Sequence, residues 1–403
     1  MTQHLAEFIA DSPSAYHAAA NVRDALVAAG FAEDTATTPG GHVMVQGGAV
    51  MAWWVPENAQ PRFRIIGSHT DSPGLVVKPG MDFEGEGFRQ VAVEVYGGAV
   101  VEAWFDRELT FAGRISLDDG SVRLVSTGPV ARVPHLAIHL YRGNPPELNR
   151  QTHLQPVLAE DRPLREIVAE AAGVDAQRIV AHELISADAQ RPEVFGDLLA
   201  AGRLDNLSSV HASLNAMLAA VENGPESGDV LVLAAFNHEE IGSSTTEGAG
   251  GPLLERVLAK LVAEVPEMGD PLGVYAASSI ISADAAHAVH PNYGHKHDPT
   301  HRPMMNRGPV LKVNANQRYA TNAETQAIWR SAADAAGVPV QFFVGHNEVP
   351  CGSTIGPISS TRLGIPTVDV GIPLLSMHSA RELAGVQDQL WFEQALTAYL
   401  SGA

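Results

Sequence analysis

The spacing of apolar positions changes character along the chain, and each change predicts a different element. Residues 5–30 read as two short helices parted by Ser12-Pro13-Ser14, with Ser14 placed to cap the second and Gly30 to stop it. From His42 to Trp54 the pattern turns strand-like, broken at Gly47-Gly48. Phe63-Arg64-Ile65-Ile66 is a short apolar strand that runs into Gly67-Ser68-His69-Thr70-Asp71. Strict alternation then takes over, as in Val91-Ala92-Val93-Glu94-Val95-Tyr96. Asp118-Asp119-Gly120 is a hairpin signal between Arg114-Ile115-Ser116-Leu117 and Ser121-Val122-Arg123-Leu124-Val125. One helical stretch, Pro163 to Ala172, interrupts this region. From Asp205 onward helix and strand alternate. Leu207, Val210, Leu214, Met217, Leu218 and Val221 keep one helical face apolar, and Val230 to Phe236 is an apolar run of strand length. Pro309 to Val313, Val338 to Val344 and Thr367 to Val370 read as further strands, and Asn322 to Ala336 and Val386 to Leu400 as helices.

Strand–helix alternation on both sides of a β-rich stretch predicts an α/β domain built from residues 1–82 and 187–403, interrupted by a mainly β insertion at 83–186. A chain of 403 residues is long enough for such an arrangement without disulfide staples. Its formal charge of −20 argues against non-specific binding to nucleic acid or an anionic membrane. Neither a signal peptide nor a transmembrane helix is expected: Met1 to Ala10 carries no basic run, and no apolar stretch approaches ~18 residues. The single cysteine, Cys351, excludes an internal disulfide framework and fits a reducing, cytoplasmic compartment.

The chemistry concentrates in five polar clusters at or near predicted strand ends: His69-Thr70-Asp71, Asp205-Asn206, Glu239-Glu240, Asp284 with His287, and His378. Alone, a His-x-Asp is more often a surface hydrogen-bonding pair, and a Glu-Glu pair a solvated loop. Placed together after apolar strands, two imidazoles and several carboxylates are what a pair of divalent cations sharing a carboxylate needs. Donors of this kind, with no thiolate, suit Zn2+, Mn2+ or Co2+ rather than a structural cysteine site. Gly352-Ser353-Thr354-Ile355-Gly356-Pro357 lacks the Gly-Lys-Ser/Thr ending of a phosphate loop and reads instead as a turn into a helix.

Several of these segments resemble the aspartyl aminopeptidase family, dinuclear zinc enzymes with an inserted dimerisation domain. Gly67-Ser68-His69-Thr70-Asp71-Ser72-Pro73 is similar to its first metal motif, and Arg203-Leu204-Asp205-Asn206-Leu207 to its bridging-aspartate motif. Asn237-His238-Glu239-Glu240-Ile241-Gly242 resembles the base-plus-ligand motif, and Met377-His378-Ser379-Ala380-Arg381-Glu382 the last ligand motif. Ser282 to Tyr293, Pro134 to Leu140 and Gly308 to Ala320 add further likeness, so that the resemblance runs in order from about Phe8 to Glu382.

The resemblance implies a mixed-sheet α/β metallopeptidase domain and assigns roles. His69 and Asp284 would hold one metal, Glu240 and His378 the other, and Asp205 would bridge them; two zinc ions per subunit are implied. Glu239 would be the general base, and Asp71 would orient the His69 imidazole. His139, His287, Lys312 and Tyr319 would contact the substrate, a peptide with N-terminal Asp or Glu. A large homo-oligomer, a tetrahedral dodecamer built from dimers, is implied as well. Two rival readings are a related dinuclear deacylase or carboxypeptidase, and a self-assembling scaffold or cargo protein with residual peptidase activity. Retention of all five ligands and Glu239 argues against the scaffold, and Lys312 with His139 against a site for any acyl group.

Overall fold

The run Val230–Phe236 is apolar at every position because both of its faces are covered. In the computed structural model, which describes residues 2–225 and 227–403 (without the side chains of 2–4), this strand lies inside a nine-stranded mixed sheet. Leu231, Leu233 and Ala235 point into one core, with the helices Thr2–Asp11, Ala15–Ala28, Leu204–Asn223, Ala323–Ala335 and Val386–Ser401. Val230, Val232, Ala234 and Phe236 point into another, against the helix Leu253–Glu264. Period-two alternation thus disappears from the strand's hydropathy while remaining in its geometry. Truncating any of the largest of these buried side chains to Ala costs about 2–5 kcal/mol.

Val230–Phe236, Phe63–His69, Ser279–Ala283 and Thr367–Gly371 are adjacent and parallel. Phe236 lies opposite His69, and the Asp284 amide, just past Ala283, donates to the Val370 carbonyl. The residues that follow these strands therefore emerge along one edge of the sheet, where open α/β sheets place their sites. A five-stranded sheet lies beside that edge and includes Leu198–Ala201, Pro373–Leu375 and Glu382–Gly385. It delivers His378 on the turn between two of its strands, and Asp205 at the start of the helix Leu204–Asn223 just past Leu198–Ala201.

The β-rich region closes into a six-stranded barrel, with Leu75, Val93, Phe111 and Leu184 inside and the helix Leu164–Ala172 contributing Leu164 and Val168 to the same core. Its strands run from Gly74–Gly85 to Ile179–Asp188, so strand pairing reaches beyond 83–186 at both ends. The hairpin turn at 118–120 joins Glu108–Leu117 to Val122–Arg132 as expected. The helix cap is also in place: Ser14 Oγ accepts from the His17 amide. Leu253–Glu264 and Pro271–Ala277 are helices beyond the predicted elements.

Candidate metal centre

The edge of the sheet gathers donors from distant parts of the chain. His69 Nε2 lies 3.4 Å from Asp205 Oδ1 and 3.8 Å from Asp284 Oδ2. His378 Nε2 lies 3.3 Å from Asp205 Oδ2 and 3.4 Å from Glu240 Oε2. Asp205 thus turns one oxygen toward each imidazole, and each imidazole has a further carboxylate of its own. The donor atoms of His69, Asp205 and Asp284 all lie within 4.8 Å of one another, as do those of Asp205, Glu240 and His378. Glu239 joins His69 and Glu240 in a third such group.

Two further carboxylates hold this arrangement from behind. Asp71 Oδ1 accepts from the Glu239 amide at 3.0 Å, and Oδ2 accepts from the Glu240 amide at 3.1 Å. The His69 Nδ1 edge faces the same residue, 3.0 Å from the Asp71 carbonyl and 3.5 Å from Oδ1. Glu382 does the equivalent on the other side: Oε1 accepts from the His378 amide at 2.8 Å and Oε2 from the Asp205 amide at 3.0 Å. Glu382 closes the last sequence motif but carries no role in the resemblance; only the fold brings it back to Asp205.

The local backbone is unusual where it presents these groups. Arg203, His238 and His378 have φ of 59°, 66° and 65°, a region that side chains with a Cβ rarely occupy. His378 is itself a donor, and Arg203 and His238 each stand two residues before one, Asp205 and Glu240. Such residues cost about 1–3 kcal/mol each and persist where the surroundings over-determine them. For Arg203 the anchor is visible: its half-buried guanidinium donates to the Ile9 and Ser12 carbonyls.

The electrostatics follow from crowding carboxylates in a buried place. Burial pushes the Glu239 carboxyl up to about 7, with His69 opposing and the charges of Asp284 and Asp205 adding. Burial, then Asp205, raises Glu240 well above the usual range. Burial would raise Asp205 too, but the flanking His378 and His69 hold it below the carboxylate range. Desolvation pulls His378 down, yet Asp205 and Glu240 carry it up to about 10, and His69 is raised by Asp205 and Asp71 in the same way. In the metal-free chain these imidazoles carry the positive charge that the carboxylates require.

The remaining sequence-predicted residues divide. Lys312 is buried, and its Nζ donates to Asp284 Oδ1 at 3.1 Å and to the Ala285 carbonyl at 3.0 Å, 5.1 Å from the centre of the Tyr319 ring. His287 is exposed beside this group, its ring centre 5.9 Å from that of Phe343. Lys312, Tyr319 and His287 thus form one wall next to Asp284. His139 stands apart: it lies on the exposed turn Ile138–Leu140, between Ile138 at 64% and Leu140 at 73% exposure.

The donor set fits zinc. Asp205 Oδ1 and Glu240 Oε1 are buried without a hydrogen-bonding partner, an expensive state for carboxylate oxygens unless a cation meets them. Comparison with known proteins points the same way. The aminopeptidase I zinc metalloprotease (M18) family matches residues 8–400. A probable M18 family aminopeptidase 2 of Streptomyces avermitilis is 46% identical, over 100% of this chain and 98% of that one. Among solved structures, a chain from the cryo-EM structure of the Ape4 and Nbr1 complex superimposes with a TM-score of 0.93 at 32% identity, covering 99% of this chain and 85% of its own. A chain of the S. cerevisiae mApe1 dodecamer gives 0.88 at 26%, covering 100% and 96%. A match of this extent, over a fold that gathers the donors of a metallopeptidase, means that the chain belongs to the M18 family and is a zinc aminopeptidase.

Proposed function

We propose that this aminopeptidase works with two divalent ions, zinc in the first place, and prefers peptides that begin with Asp or Glu. The observation that carries the two-ion reading is Asp205, with one oxygen toward each of two imidazole–carboxylate sets. His69 and Asp284 would hold one ion, Glu240 and His378 the other, with Asp205 between them; Mn2+ or Co2+ are compatible with the same donors. Such ions activate a water and polarise the scissile carbonyl.

The chain's own contribution begins at Glu239. Its carboxyl belongs to the same cluster as His69 and Glu240, and its backbone is held by Asp71. It takes the proton of the attacking water and returns it to the leaving amine, which requires it to lie within ~2.6–3.2 Å of that proton's oxygen or one water away. Recognition of an acidic side chain falls to the wall beside Asp284. A lysine ammonium has three donors; Asp284 and Ala285 take two of those of Lys312, which leaves one for a substrate carboxylate, flanked by Tyr319 and His287.

Turnover of Asp-, Glu-, Leu- and Lys-chromogenic substrates, with and without chelator, tests this reading. Asp and Glu are expected to lead, and chelator to abolish every rate. Zinc titration of the metal-free chain is expected to reach two equivalents, releasing protons as it does so, because the imidazoles raised by Asp205 must deprotonate to bind metal. Saturation at one equivalent would overturn the two-ion reading, and equal rates the acidic preference.

The resemblance also supports a homo-oligomer, a dodecamer built from dimers, in a cytoplasmic setting that suits a lone cysteine. The exposed apolar turn around His139 is suited to cover by a second copy, which would bring His139 to a neighbouring centre. His139→Ala is then expected to lower kcat/KM at unchanged zinc content, and dilution to monomers to have the same effect. A fully active monomer, identified by sedimentation, would exclude a shared site.

A further inference from the structure

The barrel strand Phe88–Tyr96 ends against the metal centre. Tyr96 Oη donates to Asp71 Oδ2 at 2.7 Å, on the oxygen that also accepts the Glu240 amide. The next residues make close approaches of their own. A Cβ at Gly97, whose φ is 70°, would stand 3.1 Å from Glu240 Cβ; one at Gly98 would stand 3.2 Å from His378 Nδ1. His378 Nδ1 lies 3.2 Å from the Gly98 carbonyl, and the Val100 amide donates to the His378 carbonyl at 2.9 Å. One short segment of the barrel therefore touches the supporting carboxylate and the two donors assigned to one half of the centre.

We propose that Tyr96 is a positioning residue of the centre: its hydroxyl fixes Asp71, which fixes the backbone of Glu239 and Glu240, while Gly97-Gly98 let the barrel chain close on Glu240 and His378. The physical case rests on the two lone-pair demands on Asp71. Its oxygens must satisfy two backbone amides of a turn that begins at the left-handed His238. A free carboxylate can rotate away from that double task; a third donor, anchored on a barrel strand paired with Gly74, removes the rotation. Residues that orient metal ligands in this way typically change metal affinity or activity by about 10–100-fold. The barrel is thereby part of the active site within its own chain, apart from any part it has in assembly. The segment is also close-packed in a way that explains its glycines: at both positions a side chain would push on a donor rather than on solvent.

The inference rests on Glu240 and His378 being metal donors, so the test carries a control for that reading. Zinc affinity is measured by titrating the metal-free full chain, and kcat and KM on one peptide substrate, for Tyr96→Phe, Asp71→Asn, the double variant and Glu240→Gln. Tyr96→Phe is expected to weaken zinc binding or lower kcat by about tenfold with KM unchanged, and to add nothing in the Asp71→Asn background. Wild-type zinc affinity and kcat in Tyr96→Phe, or losses that multiply in the double variant, would overturn it. Unchanged zinc binding in Glu240→Gln would instead refute the donor assignment. Should Tyr96→Phe not fold, Gly98→Ala carries the test: it should weaken zinc through His378, and normal zinc affinity in that variant overturns the inference.

Discussion

Glu239→Gln is expected to lose kcat by roughly 10²–10⁴-fold, the range for removal of a general base, while binding as much zinc as the parent chain. The two glutamates are neighbours in sequence, share Asp71 as the acceptor of their amides and both lie near His69, yet only Glu240 also groups with Asp205 and His378. Glu240 Oε2 lies 3.4 Å from His378 Nε2, and its other oxygen is buried without a partner. Glu239 groups with His69 and Glu240 but not with His378, and burial pushes its carboxyl up to about 7, where it can gain and lose a proton near neutrality. Amide replaces carboxylate at nearly constant shape, so Glu240→Gln should lose zinc together with rate. Metal analysis and single-turnover kinetics on both variants separate the two roles. Equal zinc loss in both would mean that Glu239 is a ligand, and full turnover in Glu239→Gln would mean that another group takes the proton.

Why one part of this centre was legible in the sequence and another was not has a physical answer. Strands buried on both faces carry short apolar runs at their centres, so the polar residues at or just past their ends stand out; His69, Glu239-Glu240 and Asp284 are all of this kind. Asp205 and His378 carry a weaker local signal, since one sits at a helix start and the other on a turn beside a small second sheet, and they are recognisable chiefly through the motifs around them. Side chains that act through tertiary contact leave no periodic trace. Tyr96 ends an alternating strand and looks like any aromatic in such a pattern; only the barrel's closure brings its hydroxyl to Asp71. Glu382 similarly needs the fold to reach both the His378 and Asp205 amides. The left-handed conformations at Arg203, His238 and His378 were hidden because glycine, their usual marker, is absent. The barrel's entry at Gly74 was hidden for the opposite reason: Leu75-Val76-Val77 continues the apolar texture of the preceding domain.

Lys312→Met is expected to destabilise the metal-free chain and to separate two roles that the sequence merged. An apolar strand with one lysine predicts a partner for that lysine, and a substrate carboxylate was the expected one. The ammonium already has a resident carboxylate in Asp284, at 3.1 Å, and a backbone acceptor in Ala285. Both members of the pair are buried. Removing one partner of a buried ion pair leaves the other charge uncompensated, at a cost of about 3–5 kcal/mol, which denaturant unfolding of the metal-free variant measures. Zinc should reduce that loss, because a cation beside Asp284 replaces the missing positive charge. If the third N–H also meets the substrate, the loaded variant should lose a further ten- to hundredfold in kcat/KM for Asp substrates relative to Leu, since a hydrogen bond to a charged group contributes about 1.5–3 kcal/mol. The ratio of the two specificity constants isolates that contact from the structural loss, which falls on both substrates alike. A changed ratio assigns Lys312 to recognition. An unchanged ratio with lowered stability confines it to holding Asp284, and recognition of an acidic side chain then passes to His287 and to His139 of a neighbouring copy.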